Sequence, residues 1–228
     1  GSKVDKGYIG HKAAKMMKRS KSIEHRQQSA IEDRSQLLKN VESSESLKIS
    51  QMAYHKHQFI ELDHVSIQYG DRKVCRDVSF TVEQGDRIAL SGPNGSGKSS
   101  LLKLICGEEI PYAGTLRIGS QLKISYVSQD TSHLRGNLSE FARNSGIDES
   151  LFKSILRKLD FSRLQFEKDI AAFSAGQKKK VLIAKSLCER VHLQVWDEPL
   201  NYVDVISRMQ IEELLLEHSP TILFVEHD

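Results

Sequence analysis

No run of eighteen apolar residues occurs anywhere in this 228-residue chain, so no single segment of it can cross a bilayer as an apolar helix. Cysteine is sparse: Cys75, Cys106 and Cys188 lie far apart and form no CxxC pair. An odd, scattered set of this kind reads as reduced, packed thiols and predicts a cytoplasmic protein rather than a disulfide framework. The first thirty residues hold no apolar stretch of the kind that forms a secretory signal, and Gly1-Ser2 reads as a cleavage scar. A hydrophobic share of 39% with 28% charged residues suits one substantial globular domain plus an appendage.

The net charge of +3 conceals an asymmetry. Residues 1–30 hold eight Lys/Arg against two Asp/Glu, giving +6, and the remaining 25 basic and 28 acidic residues give −3. The basic character thus belongs to the N-terminal segment. From Ile9 a heptad pattern runs through Ala13, Met16, Ser20, Ile23, Gln27, Ala30, Arg34, Leu37 and Val41, the four-and-three stepping of a coiled-coil seam. Ser20, Gln27 and Arg34 interrupt it, so a short helical hairpin is expected rather than a long zipper. Lys12, Lys15, Arg19 and Arg26 line one side of that helix, either as a solvated face or as a contact for a polyanion. Residues 42–57 (ESSESLKISQMAYHKH) are polar and serine-rich, a linker by composition.

Beyond the linker the periodicity changes. Phe59 to Leu62, Val65 to Tyr69 and Val78 to Val82 read as strands, with turn signals at Gly70-Asp71 and Gln84-Gly85. Arg87 to Ser91 is a buried-type strand, and Ser99 to Cys106 an apolar helix. Further strands are expected at Thr115 to Ile118, Leu122 to Val127, Leu193 to Trp196 and Thr221 to Val225, with mainly helix over 137–172. Strands alternating with helices predict an α/β core with parallel strands.

Between the strand ending at Ser91 and the helix beginning at Ser99 stands GPNGSGKS, residues 92–99, which fits GxxxxGK[ST] in the context that pattern requires. Gly92, Gly95 and Gly97 allow backbone N–H groups to turn inward around phosphates, Pro93, Asn94 and Ser96 complete the loop, and the helix start, continuing into Ser100, adds positive potential. Lys98 is placed to reach the β- and γ-phosphates of ATP and Ser99 to offer its hydroxyl to Mg2+. About a hundred residues on, HLQVWDEP delivers Asp197 at a strand's C-terminal end, where ligands bind in open α/β sheets. Asp197 is the candidate metal carboxylate, and Glu198 beside it the candidate base for an attacking water.

FSAGQKKKVLIAKSL, residues 173–187, poses a puzzle. Ser174 is a good N-cap, yet Lys178, Lys179 and Lys180 crowd the first turns, where the helix dipole is already positive. These lysines either draw a polyphosphate or RNA, or extend into solvent.

Taken together, these motifs resemble the nucleotide-binding domain of the ATP-binding cassette (ABC) family. Tyr69, 29 residues before Lys98, resembles the family's adenine-stacking aromatic. Gln129 in YVSQD is similar to the loop glutamine that senses Mg2+ and water. FSAGQ (Phe173, Ser174, Ala175, Gly176, Gln177) resembles the signature otherwise written LSGGQ, with Ala175 in place of the first of its two glycines. Asp204 in LNYVD is similar to the D-loop aspartate, and His227 in VEHD to the switch histidine at the γ-phosphate. The compact interval of 44 residues from Gln129 to Phe173, the phrase WDEPLNYVD and the basic stretch KGYIGHKAAKMMKRSK narrow the resemblance to the second cassette of ABC-F proteins. The wording is most similar to the branch that protects ribosomes from antibiotics.

That resemblance implies an ABC-type P-loop fold over 58–228: a mixed-sheet core, a small antiparallel β subdomain and a helical subdomain at 131–173, preceded by a helical interdomain linker at 3–57. It implies a cytoplasmic ATPase using ATP and Mg2+, with Ser99, Gln129 and Asp197 at the metal and Glu198, Gln129 and His227 in catalysis. The implied partners are a first cassette of the same parent chain, whose P-loop the signature would face, and the ribosome, with Lys12, Lys15, Lys18 and Arg19 toward rRNA or peptidyl tRNA. A homodimer of this chain and no membrane insertion are further expectations, as is a missing strand and helix after Asp228. The cassette motifs serve equally for the motor subunit of a membrane transporter; the basic heptad arm is what separates the two. DNA-repair cassettes carry very long coiled coils or zinc sites inserted in the cassette, and the sequence has neither.

Overall fold

The structure, a computed structural model, describes residues 51–226 together with Gln28 and Ile31. The chain divides into two units, Gly1–Leu47 and Lys48–Asp228. Lys12, Lys15, Lys18, Arg19 and all of the heptad seam lie outside the described residues, as does His227; Gln28 and Ile31 are helical and exposed.

In the second unit, β1 (Gln58–Tyr69) and β2 (Arg72–Glu83) form a long antiparallel hairpin closed at Gly70-Asp71, with Tyr69 opposite Arg72. The sequence pattern breaks this first strand in two at Asp63-His64. The backbone instead runs on through a bulge: the register shifts between Leu62 and Val65, and His64 takes φ +49°. The extra residue is absorbed by polar contacts, the His64 N–H donating to Ser79 Oγ at 2.8 Å. On the other side of β1 lies β4 (Tyr112–Ile118), also antiparallel.

The second sheet joins β3 (Arg87–Leu90), β7 (Ile222–Val225), β6 (Leu193–Asp197) and β5 (Ile124–Val127), in that order and parallel throughout. Mixed pairing is therefore divided between two sheets rather than combined in one. Strand β6 has every residue buried, as expected of a strand covered on both faces. Register sets the edge on which chemistry gathers. Leu90 and Asp197 both pair with Val225, and Val127 pairs with Trp196, so three strand ends and their following loops open on one side.

Helix α1 (Lys98–Ile105) carries Leu101, Leu102, Leu104 and Ile105 into the main core, where they meet β1 residues Phe59, Ile60 and Ile67 and β6/β7 residues Leu193, Val195 and Leu223. Each buried aliphatic contributes about 1.5–3 kcal/mol, so the loop before α1 is anchored by the helix that follows it. Residues 138–172 form α2 (Leu138–Asn144), α3 (Glu149–Lys158), the short α4 (Arg163–Phe166) and a 3-10 turn (Ile170–Ala172). Asn137 and Asp148 cap the first two, accepting from Glu140 N–H and Leu151 N–H. Helices α5 (Ala175–Cys188) and α6 (Val205–His218) flank β6 in sequence.

The globular unit begins earlier than composition suggests. Tyr54, inside the polar 42–57 segment, is buried; its hydroxyl donates to Ser120 O at 2.7 Å and its ring meets Phe59 and His192 edge-on. Met52 N–H donates to Val191 O at 3.3 Å. One aromatic among serines and lysines outweighs them all. A buried polar network joins α5 to the parallel sheet: Ser186 Oγ bonds Ser125 Oγ (2.7 Å), receives Trp196 Nε1–H (2.8 Å) and reaches Gln194.

Candidate functional site

At the shared edge of β3, β5 and β6 is a cleft of about 580 Å3 lined by Tyr69, Arg72, Val74, residues 94–100, Gln129, Glu198 and Asn201. The loop over 92–97 is held open by glycine. Gly97 has φ +81°, and a Cβ there would overlap the Val74 carbonyl of β2; only glycine permits both the left-handed turn and the close approach. Gly97 then serves as N-cap of α1 without a side-chain cap bond, so the helix's first N–H groups face the loop. Lys98 Nζ donates to the carbonyls of Gly92 and Pro93, which stations the ammonium over the loop. Tyr69, at the end of β1, is half-exposed and its hydroxyl donates to Ser100 Oγ at 3.2 Å, presenting a ring at the cleft's mouth.

Two adjacent carboxylates stand at the end of β6 at the cleft's floor, Glu198 in the lining and Asp197 buried behind it, and their situations differ. Asp197 ends β6 at 1% exposure, and neither carboxylate oxygen has a hydrogen-bond partner. Burial pushes its carboxyl above the usual range, and Glu198 adds to the rise; the nearby Ser99 hydroxyl, without closing a well-formed hydrogen bond, and Lys179 act against it. An orphaned buried carboxylate carries a desolvation cost that a cation removes. The donor set of Asp197, the Ser99 hydroxyl and Gln129 is all oxygen, which fits Mg2+. Among the described residues no group of three His, Cys, Asp or Glu side chains could hold a metal by itself, so such an ion would draw its other ligands from phosphate and water.

Glu198 follows in the left-handed region at φ +50°, a conformation costing a non-glycine residue about 1–3 kcal/mol. A turn fixes it: Asn201 N–H donates to Glu198 O at 3.2 Å and Asn201 Nδ2 to its carboxylate at 3.3 Å. The strain aims the side chain back toward the cleft it lines.

The structure thus gathers Tyr69, Asn94, Gly95, Ser96, Gly97, Lys98, Ser99, Ser100, Gln129 and Glu198 around one cleft, with Asp197 buried behind it. The signature residues are not among its lining. Ser174 caps α5, its Oγ accepting from Gln177 N–H (3.2 Å) while Gln177 Oε1 accepts from Ser174 N–H (2.9 Å). Phe173 is buried edge-on against Phe161. Ala175 is the first residue of α5 and exposed, with no left-handed φ, so glycine's freedom is not required there. Gly176 is required for a different reason, close approach: its φ is not left-handed, but a Cβ would stand 2.5 Å from Tyr202 O. Asp204 caps α6, accepting from Ser207 N–H (2.9 Å) and Ser207 Oγ (2.8 Å); against the upward push of burial, these bonds and Lys180 hold its carboxyl below the usual range.

For two of the three lysines the puzzle resolves locally. Lys179 is 1% exposed and Lys180 7%; neither extends into solvent or offers itself to a polyanion. Lys179 Nζ donates to Ser128 O (3.0 Å) and Gln129 O (3.4 Å), and Lys180 Nζ to Leu159 O (3.0 Å). The partners of these two lysines are carbonyl oxygens 21 to 51 residues away in sequence. Sequence reading also missed Arg72 and Asn201 as cleft residues. Asn201 carried a signal, being three residues past Glu198 in a turn, whereas Arg72 reaches the cleft only because the hairpin bends beside the loop.

Comparison with known proteins gives this geometry a family. The family model described as ABC transporter matches residues 75–201, more than half of the chain. The chain belongs to the ABC transporter family. It is an ATP-binding domain of α/β P-loop type, and ATP hydrolysis is the general activity of such domains. Among curated relatives, the ribosome protection protein VmlR of Bacillus subtilis is 31% identical over 177 residues, covering 75% of this chain and 32% of its own. The ATP-binding protein Uup of Caulobacter vibrioides is 30% identical over 178 residues, covering 74% and 29%. The chain therefore spans about a third of the length of the curated relatives it matches. Solved structures agree on the ABC fold: an Atm1-family bacterial exporter with ATP bound superposes with a TM-score of 0.67 at 18% identity, covering 81% of this chain and 37% of that one. A cobalt transport ATP-binding protein gives 0.62 at 24%, covering 74% and 70%. No helix among the described residues is long and apolar enough to cross a membrane.

Proposed function

We propose that this chain is an ATP-hydrolysing cassette of the ABC-F type, the second of two in a parent protein that acts on the ribosome and protects it from antibiotics. The observation that carries the hydrolytic part is the pair at the end of β6: Asp197 buried without a hydrogen-bond partner and Glu198 held at a strained turn against the cleft. In this reading the 92–97 loop and Lys98 cradle the triphosphate, Tyr69 stacks on the base, and Ser99, Asp197 and Gln129 hold Mg2+. Bound there, Mg2+ would offset charge building on the phosphates. Glu198 orients and deprotonates the attacking water, and Gln129 and His227 take the assisting roles that the family resemblance implies.

The helix start at Ser174 to Gln177, exposed at Ser174 and Ala175 and absent from the lining of its own chain's cleft, is suited to the nucleotide of another cassette. The first cassette of the same parent is the proposed source, and a second copy of this chain the substitute in isolation. Similarity to VmlR, which bears the name ribosome protection protein, supports the ribosomal reading, as does the +6 charge of residues 1–30. The arm residues Lys12, Lys15, Lys18 and Arg19 would meet rRNA or peptidyl tRNA by phosphate contacts, in the cytoplasm.

Co-sedimentation with ribosomes in ATP, using the parent protein, tests this. Binding is expected, and neutralising Lys12, Lys15 and Arg19 together should flatten its salt dependence by about three phosphate contacts' worth. Absence of ribosome binding in ATP, alongside intact hydrolysis, would overturn the ribosomal part and return the transporter reading.

A further inference from the structure

A lysine that is 1% exposed carries a large desolvation cost, and such a residue persists only where its charge and donors are fully used. Lys179 lies on α5 two residues after the signature and donates to Ser128 O and Gln129 O, in the loop that leaves β5 at the cleft. Burial draws its ammonium down from its ordinary value, while the charges of Asp197 and Glu198 support it. A thioether or an amide could fill similar space, but neither would offer two or more donors and a cation at once.

The rest of the helix start is tied just as closely. Gly176 lies under the Tyr202 carbonyl, and Lys180 donates to Leu159 O and stands 3.8 Å from Asp204. The first two turns of α5 are thus fastened to the cleft loop, to the end of α3 and to the cap of α6, while Ser174 and Ala175 remain exposed.

We propose that Lys179 is a positioning residue for Gln129: it fastens the glutamine's backbone to the head of the signature helix, so that whatever engages the exposed start of α5 also sets where Gln129 stands relative to Asp197 and Glu198. The proposal rests on reading the cleft as an ATPase site. It assigns to a lysine outside the cleft a link between the nucleotide this chain holds and the one its signature would meet.

The test separates that link from simple packing. In the 228-residue chain without nucleotide, amide exchange over 127–132 is compared for wild type, Lys179→Met and Lys179→Arg. Lys179→Met should speed exchange in this loop by about 10-fold or more while exchange in β6 and the rest of α5 stays near wild type; Lys179→Arg should restore protection. In the parent protein, Lys179→Met should lower kcat by about 10–100-fold with KM for ATP within about 2-fold, and Lys179→Arg should recover most of it. Should Lys179→Met not fold, Lys179→Gln takes its place in both measurements. Unchanged loop exchange, or a rise spread evenly through α5 and β6, overturns the positioning role. If the wild-type parent hydrolyses no ATP, the ATPase reading falls, and the exchange result still decides whether Lys179 holds the loop.

Discussion

The cleft floor and the head of α5 sit at the ends of neighbouring elements and handle buried charge in opposite ways. At the floor, Asp197 is buried without a hydrogen-bond partner and Glu198 occupies a left-handed turn. At the helix head, Lys179 and Lys180 are buried with carbonyl partners at 3.0 Å, and Ser174 and Gln177 satisfy one another's backbone groups. A folded chain can carry a few unmet demands only where something else meets them. The floor is built for a ligand; the helix head is built to hold its neighbours in place.

Four substitutions can break or sharpen that contrast. Glu198→Gln in the parent protein should reduce turnover by about 10^2–10^4-fold, with ATP binding nearly unchanged; ordinary turnover in that variant would sink the role assigned to Glu198. Lys98→Ala removes a charged donor from the phosphate loop, and ATP affinity should fall by about 10–100-fold, as 1.5–3 kcal/mol per charged hydrogen bond requires. Titration with a fluorescent ATP analogue reads it directly.

Asp197→Asn should act in two directions. Because burial holds the folded-state carboxyl above its ordinary value, the native protein binds that proton more tightly than the unfolded chain does. The associated stability is present at acid pH and is lost as pH rises through the folded value, so at neutral pH the bare carboxylate is a net cost. Removing it should stabilise the metal-free chain by about 1–3 kcal/mol while abolishing any stabilisation by Mg2+ with ATP. A fall in the Tm of the metal-free variant would contradict this account of the floor. The smallest effect belongs to the helix head. Ser174→Ala deletes an N-cap and should cost about 1 kcal/mol of stability, with nucleotide affinity in the cleft untouched; weakened binding there would show that the two regions are not as separate as their geometry implies.

How far the sequence foretold these regions follows the same division. GPNGSGKS and WDE are read from the chain because their chemistry is local: a glycine loop between strand and helix, and acids at a strand end. The N-cap at Ser174 is legible for the same reason, being a feature of one helix start, whereas its reciprocal bond with Gln177 emerged only from the structure. What escaped depends on partners distant in sequence. The carbonyls that receive Lys179 lie 50 and 51 residues upstream, so its burial is invisible to any local pattern. Tyr54 looked like linker because its partners, Ser120 and His192, lie 66 and 138 residues away. The bulge at His64 hid as a strand break because one extra residue inverts the alternation of faces. The arm residues and His227 fall outside the described residues, and their roles rest on resemblance alone.

Trp196 gives the molecule an optical handle. It is the only tryptophan in the chain, fully buried on β6 immediately before Asp197, and its indole N–H is bound to Ser186 of α5. Tryptophan emission from this chain therefore arises entirely from the joint between β6 and α5. Events at either end of that joint can be followed in solution, on the millisecond scale, without attaching a dye.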